Sequence, residues 1–242
     1  MKILLVTFSN NADHQDITFG MFEKLVDIYP VWLMCIKTQR VKLEASERIK
    51  FVDCPNRPGI CKKTFDLREL FSIIKWINKQ EFDVIFFENL HTWNLAIMLL
   101  CHTHTKIYQM IHDLIPHDGD KNIQGVKLMN SLVCKLADKI VLCNKKYINE
   151  ATKIYKLPKE RVKFVDMWRR FPQYTEPKYT KSVLFFGRIN PYKGAENLIE
   201  IVKKCPQVQF KIVGRIDDHM KETIELLKQQ KNVMVNSGYV TD

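Results

Sequence analysis

No stretch of this sequence is apolar for longer than seven residues, Leu95 to Cys101, and a helix needs about 20 to cross a bilayer. A membrane-spanning segment is therefore not expected. No GxGxxG follows the first apolar segment, which argues against a dinucleotide-binding oxidoreductase. No CxxC pair occurs either. The seven cysteines stand at 35, 54, 61, 101, 134, 143 and 205, mostly inside apolar segments. An odd, scattered set of this kind is reduced, cytosolic usage rather than a disulfide framework. The N-terminal MKILLVTF runs straight into polar SNNADHQD without a small-residue cleavage site, so it reads as a first strand and not as a signal peptide. Repeats at solenoid periods and low-complexity tracts are absent as well.

What is present is a globular composition: 242 residues, 46% hydrophobic and 27% charged, enough for one large domain or two smaller ones. Lys and Arg number 38 against 27 Asp and Glu, a net charge of +11. Such an excess points to an anionic partner: nucleic acid, a phosphorylated substrate or an acidic membrane surface. Up to residue 174 there are 27 basic and 19 acidic residues, so most of the excess is N-terminal. No recognised helix pair, finger or aromatic RNA-binding strand accompanies it, which sets nucleic acid aside.

Strand-like and helical patterns alternate along the chain, the signature of parallel βαβ units and an α/β class. Nearly continuous apolar strands are expected at 2–8, 31–36, 49–53, 83–88, 106–112, 139–143 and 162–165, as buried parallel strands require. Helical spacing is expected near 19–28, 65–79, 92–101, 126–137 and 147–155. The alternation stops at Asp166, and MWRRFPQYTEPKYT follows with two prolines and no period. Strands at 182–186, 208–213 and 232–236 then enclose helices at 195–204 and 219–230. The expected organisation is an N-terminal domain over 1–166, a linker over 167–180 and a C-terminal domain over 181–242. Three strands and two helices make about half a doubly wound domain, so the second domain reads as incomplete.

The segment richest in chemistry is Phe185-Phe186-Gly187-Arg188-Ile189-Asn190-Pro191-Tyr192-Lys193-Gly194. It would leave a buried strand at the sheet's carboxyl edge, where open α/β sheets bind ligands. Gly187 allows close backbone approach and Gly194 opens the following helix, whose N-terminus favours anions. Arg188 offers a bidentate phosphate fork and Lys193 a point charge. Together they describe a diphosphate site; the alternative is a solvated turn with two surface cations.

FFGRINPYKGAENLIEI, followed by VQFKIVGRIDD and NVMVNSGYVTD, resembles the retaining glycosyltransferases of family 4, of GT-B fold. The resemblance spans the chain, with Phe82 to Phe87, Ile111-His112-Asp113 and Ala137 to Cys143 falling in the family's order. It implies two Rossmann-like, doubly wound parallel-sheet domains, the C-terminal one incomplete and holding a nucleotide-sugar donor, the N-terminal one holding the acceptor. By the same resemblance Arg188 and Lys193 contact the donor diphosphate, in place of a metal or other cofactor, and stabilise the departing group. Electrostatic stabilisation of this kind is worth about 3 to 4 kcal/mol per well-placed donor. Gly214, in Ile212-Val213-Gly214-Arg215, matches a family glycine where a side chain would collide with nucleotide or loop; a plain strand-to-helix turn is the alternative.

The resemblance also gives His112 a catalytic role near sugar and acceptor, although a lone strand-end histidine is more often structural. Asp113 would hold the His112 tautomer or bind an acceptor hydroxyl, unless it only starts a turn. Asn10 and Asn11 occupy the loop where the family carries glycines; asparagine tolerates left-handed backbone and donates amide hydrogens, so they are expected to shape the acceptor side. His102, His104, His112 and His117 with Asp113 and Asp118 suggest a metal set by residue type, but the spacing and the resemblance speak against one. The family's Pro-Asn-Gly before the linker is absent, and the chain ends before the position of its pair of donor-binding glutamates. Glu222 and Glu225 read instead as the solvated face of a helix, and no carboxylate nucleophile is identifiable.

The resemblance therefore implies a glycosyltransferase acting with retention on a glycan or lipid-linked acceptor in cell-surface polysaccharide synthesis. Its expected place is cytoplasmic, peripheral at the inner face of the membrane. The 65–79 helix, flanked by Lys62, Lys63, Arg68, Lys75 and Lys79, would lie on an anionic membrane or simply pack on its sheet. The alternative function is a non-catalytic module binding a glycan, a membrane or a partner subunit.

Overall fold

The structure, a computed structural model, describes residues 1–37, 46–54, 61–116, 122–166 and 180–238, without the side chain of Tyr192. These fall into two compact units, the first ending at residue 166 of the described chain and the second beginning at 180. The expected linker, apart from Thr180, lies outside the described residues.

In the larger unit seven strands form one parallel sheet: β1 (Ile3–Thr7), β2 (Val31–Ile36), β3 (Ile49–Val52), β4 (Val84–Phe87), β5 (Lys106–Ile111), β6 (Lys139–Leu142) and β7 (Val162–Phe164). Their order is β3-β2-β1-β4-β5-β6-β7, so the winding reverses between β1 and β4. The near-continuous apolar strands follow from burial on both faces. Along β1, Leu4 and Val6 enter one core while Ile3 and Leu5 enter the other. The first core takes Leu70, Ile73, Ile74 and Ile77 of α2 (Leu67–Gln80), Trp93 and Ile97 of α3 (Thr92–Leu100), Val133 and Cys134 of α4 (Ile123–Leu136), and Ala151 of α5 (Ile148–Tyr155). The second takes Phe19 and Phe22 of α1 (Ala12–Leu25).

Helix α1 corrects the sequence expectation, beginning at Ala12 where the apolar period suggested 19. Asn11 caps it by accepting from the Asp13 amide at 3.0 Å. The polar first turns conceal the helix because two of their buried side chains bond nearby carbonyls. Gln15 donates to the Ser9 carbonyl at 3.0 Å and Thr18 to the His14 carbonyl at 2.8 Å. At α2, Asp66 caps by accepting from the Glu69 amide at 3.1 Å, and Phe65 belongs to a preceding 3-10 turn, Lys62–Phe65.

The smaller unit has a three-stranded parallel sheet of order β10-β9-β8, from β8 (Ser182–Phe186), β9 (Gln209–Gly214) and β10 (Val233–Ser237). Helices α6 (Leu198–Lys204) and α7 (Lys221–Lys228) bury Leu198, Val202, Ile224 and Leu227 against Phe210 and Ile212. Leu184, Phe186 and Met234, on the other face by strand alternation, are exposed. Among the described residues no helix is long and apolar enough to cross a membrane.

All seven cysteines are free. Burial pushes the thiols of Cys35, Cys54, Cys101 and Cys134 up to about 12. Exposed Cys61, by contrast, is lowered by its hydrogen bond with Thr64. Thiolate is the reactive form, so an aromatic disulfide reagent at mildly alkaline pH should label Cys61 first and lose that fast phase in Cys61→Ser. Cys35, Cys54 and Cys134 should react only after denaturation.

Candidate functional site

Open parallel sheets bind ligands beyond the carboxyl ends of their strands at the point where the winding reverses. In the larger unit that point lies after β1 and β4. There the Phe8 amide donates to Asn89 Oδ1 at 2.9 Å, and the Glu88 amide to the Val6 carbonyl at 2.9 Å. Glu88, the first residue after β4, is fully buried. Its Oε1 accepts from His112 Nε2 at 2.7 Å and from His14 Nδ1 at 2.8 Å. Its Oε2 lies 3.4 Å from the Thr7 hydroxyl. His112 follows β5 and His14 lies in the first turn of α1, so three separate βα connections converge on one carboxylate. The two rings meet edge to face with centroids 4.8 Å apart.

Burial by itself would favour neutral Glu88, but the hydrogen bonds from His112 and His14 outweigh it and hold the carboxyl below its ordinary range. Burial likewise disfavours a charged His112. Its bonds to Cys143 and Glu88 overcome that and raise it to about 10. The cluster is thus a buried carboxylate with at least one imidazolium.

His14, Glu88 and His112 are also the described residues placed to gather around a metal ion. The two rings, however, both aim at one carboxylate oxygen at hydrogen-bond distance, the geometry of donors sharing an acceptor rather than of ligands surrounding a point. Of the metal set suggested by residue type, His102 and His104 stack on each other at 5.3 Å, and His117 and Asp118 lie outside the described residues.

At this edge Asp113 is exposed, and Glu88 bonds His112. Asn11 is the N-cap of α1 at φ −71°, extended rather than left-handed, and exposed Asn10 precedes it. Neither Glu88 nor His14 was singled out from sequence. A lone carboxylate closing an all-apolar strand is the signal that marks Glu88, whereas His14 was concealed with the start of its helix.

In the smaller unit the glycine-lined loop follows β8. Gly187 takes φ 109° and Gly194 φ 71°, values that favour glycine. The loop is laced to the one after β9: the Gly187 amide donates to the Val213 carbonyl at 3.0 Å and the Ile189 amide to the Arg215 carbonyl at 2.8 Å. Gly214, at φ 139°, sits so close that a Cβ there would lie 1.9 Å from the Gly187 carbonyl oxygen. Of the two colliding groups expected for Gly214, the loop is the one present. Lys193 closes the loop, its Nζ only 2.9 Å from where a Gly187 Cβ would stand. Arg188 and Lys193 are both exposed, and among the described residues neither has an ion-pair or hydrogen-bond partner. On α7, Glu225 pairs with Lys228 at 2.7 Å on the exposed face, as a solvated helix face would.

No protein-family model matches the chain, and no curated protein matches it. Solved structures do. A glycosyltransferase from Rickettsia africae is 17% identical with a TM-score of 0.63, over 98% of this chain and 68% of that one. Alr3699/HepE from Anabaena, solved with UDP and glucose, is 12% identical with a TM-score of 0.61, over 99% and 70%. A UDP-GlcNAc 2-epimerase from Neisseria meningitidis, solved with UDP-GlcNAc, is 14% identical with a TM-score of 0.59, over 99% and 73%. At such identities the likeness establishes a GT-B fold of Rossmann-like units, and a fold hosts more than one chemistry.

The ionic cluster carries a pH signature. Because His112 is raised in the folded state, its stabilisation is full below about 6.5 and is lost as pH rises through about 10. Glu88 is depressed, so its share is present above the ordinary carboxylate range and is lost as pH falls below it. Urea unfolding across pH should show both declines in the larger unit, and Glu88→Gln should flatten them. A Gly214→Ala chain should also unfold at lower urea than wild type, because its methyl group and Gly187 cannot both keep their places.

Proposed function

We propose that this chain transfers a glycosyl group from a nucleotide-sugar donor to a hydroxyl of a glycan or lipid-linked acceptor, with retention, in cell-surface polysaccharide synthesis. The observation that carries the reading is the loop after β8: two exposed cations, Arg188 and Lys193, without ion-pair or hydrogen-bond partners among the described residues, beside backbone that favours glycine. A diphosphate fits such a loop because Arg and Lys match its charge while the glycines let it approach. As the sugar leaves, negative charge grows on the diphosphate, and preorganised cations stabilise it more in the transition state than in the ground state. In this reading the site uses no metal. Retention and the polysaccharide setting rest on the resemblance in the 185–194 segment. UDP is the first nucleotide to test, since one of the similar structures holds UDP and another UDP-GlcNAc.

The larger unit has a surface suited to a lipid-linked acceptor. Phe65, Leu67 and Phe71 are exposed at the start of α2, beside Lys62, Arg68 and Lys75, a combination that favours the face of an anionic bilayer. Peripheral residence at the inner face of the cell membrane follows from that patch.

Calorimetry with UDP, GDP and ADP should show one nucleotide binding, with affinity reduced at least about tenfold in Arg188→Ala and again in the double variant with Lys193→Ala. Unchanged binding in the double variant would overturn the assignment of the loop. Sedimentation with vesicles containing anionic lipid should retain the wild-type chain and release Phe65→Ser/Phe71→Ser, whereas equal retention would remove the membrane surface.

A further inference from the structure

The loops after β8 and β9 carry the pairing of their strands past the strand ends. Phe186 lies opposite Val213 as the last strand pair, and Ile189 lies opposite Ile216 in a parallel bridge beyond it. The offset along the chain is the same in both pairs, so Gly187 falls opposite Gly214 and Arg188 opposite Arg215. Two hydrogen bonds hold that register: the Ile189 amide donates to the Arg215 carbonyl at 2.8 Å, and the Asp217 amide to the Ile189 carbonyl at 2.9 Å. Ile189 and Ile216 pack into the core with α6 and α7, whereas Arg188 and Arg215 are exposed.

Paired strands lie about 4.8 Å apart, and like charges directly opposite one another are unfavourable. Among the described residues nothing relieves the opposition. Neither arginine side chain has an ion-pair or hydrogen-bond partner there, Asp217 forms no ion pair with Arg215, and Asp218 is engaged by Lys221 at 3.0 Å. Lys193 adds a third charge, its Nζ standing 2.9 Å from where a Cβ on Gly187 would be. Three cations thus gather around the contact of Gly187 with Gly214, all on the smaller unit.

A diphosphate joined to a neutral sugar brings one negative charge per phosphate, which Arg188 and Lys193 match. Arg215 is then in excess, and a further anion beside it would resolve its opposition to Arg188. Its guanidinium is a planar fork that meets a carboxylate through two parallel hydrogen bonds. We propose that Arg215 is a further donor-binding residue and that it selects a nucleotide sugar whose sugar is itself acidic, a hexuronate with its carboxylate at C6. The inference rests on the glycosyl-transfer reading above and names the class of its donor. Arg188 and Lys193 hold the diphosphate, and Arg215 takes the sugar carboxylate.

The test is calorimetry on the full chain with UDP-glucose and UDP-glucuronate, which differ only in the C6 carboxylate. UDP-glucuronate should bind at least about tenfold tighter. Arg215→Ala should remove that advantage while leaving UDP-glucose within about threefold of its wild-type affinity, and Arg215→Lys, which keeps the charge without the fork, should recover part of it. Because the substitution also separates two opposed charges, Arg215→Ala should unfold at the same urea concentration as wild type or higher. Equal affinity of the wild-type chain for the two donors, an advantage that survives in Arg215→Ala, equal loss of both donors in that variant, or its unfolding at lower urea would overturn the proposal. Nucleotide binding that still depends on Arg188 would in each case leave the glycosyl-transfer reading in place. Should the chain bind GDP or ADP instead of UDP, the neutral and acidic sugars on that nucleotide form the pair. Should it bind none of the three, both readings fall together.

Discussion

The parallel pairing of β1 with β4, Ile3 opposite Val84 through Val6 opposite Phe87, is the constraint on which the larger unit depends. It brings together two connections that are about 80 residues apart in the chain and reverses the winding of the sheet between them. Shifting either strand by one residue would exchange its two apolar faces. The same shift would separate Glu88 from Thr7 and His14. Core packing and site geometry in this unit are therefore two consequences of one register.

A carboxylate buried at such a point is costly unless its charge is met. Glu88 is met by two ring nitrogens and a hydroxyl, Thr7 and His14 from the β1 end and His112 from the β5 end. The two histidines are unequal: His112 has further protein partners, whereas about a quarter of the His14 side chain remains exposed. In the smaller unit the corresponding constraint is steric. Gly187 and Gly214 lie against one another, backbone to backbone, and that contact sets the loop on which Arg188 and Lys193 stand.

Much of the fold was legible in the chain because buried parallel strands are apolar on both faces and leave unmistakable runs. The strand from Val31 follows its pattern to the residue at both ends, and so does the one from Ser182, although there one apolar face is exposed. Helix α1 was not legible, since its buried polar residues, Gln15 and Thr18, donate to carbonyls within the same stretch, and an apolar period counts them as solvent-facing. The loop at Gly187 announced itself through residue types with few other uses. The cluster at Glu88 did not, because its members are one residue from each of three connections and no spacing links them.

The sequence by itself determined the α/β class, the alternation of elements and the residues of the cationic loop, all of which are local: each depends on neighbours within one strand, one helix or one turn. Only the tertiary structure decided that Glu88 bonds His112, that His14 joins them, and that Gly214 is a glycine because of Gly187. Those are contacts between segments distant along the chain, and they exist only once strand order and register have chosen which ends of the sheet meet.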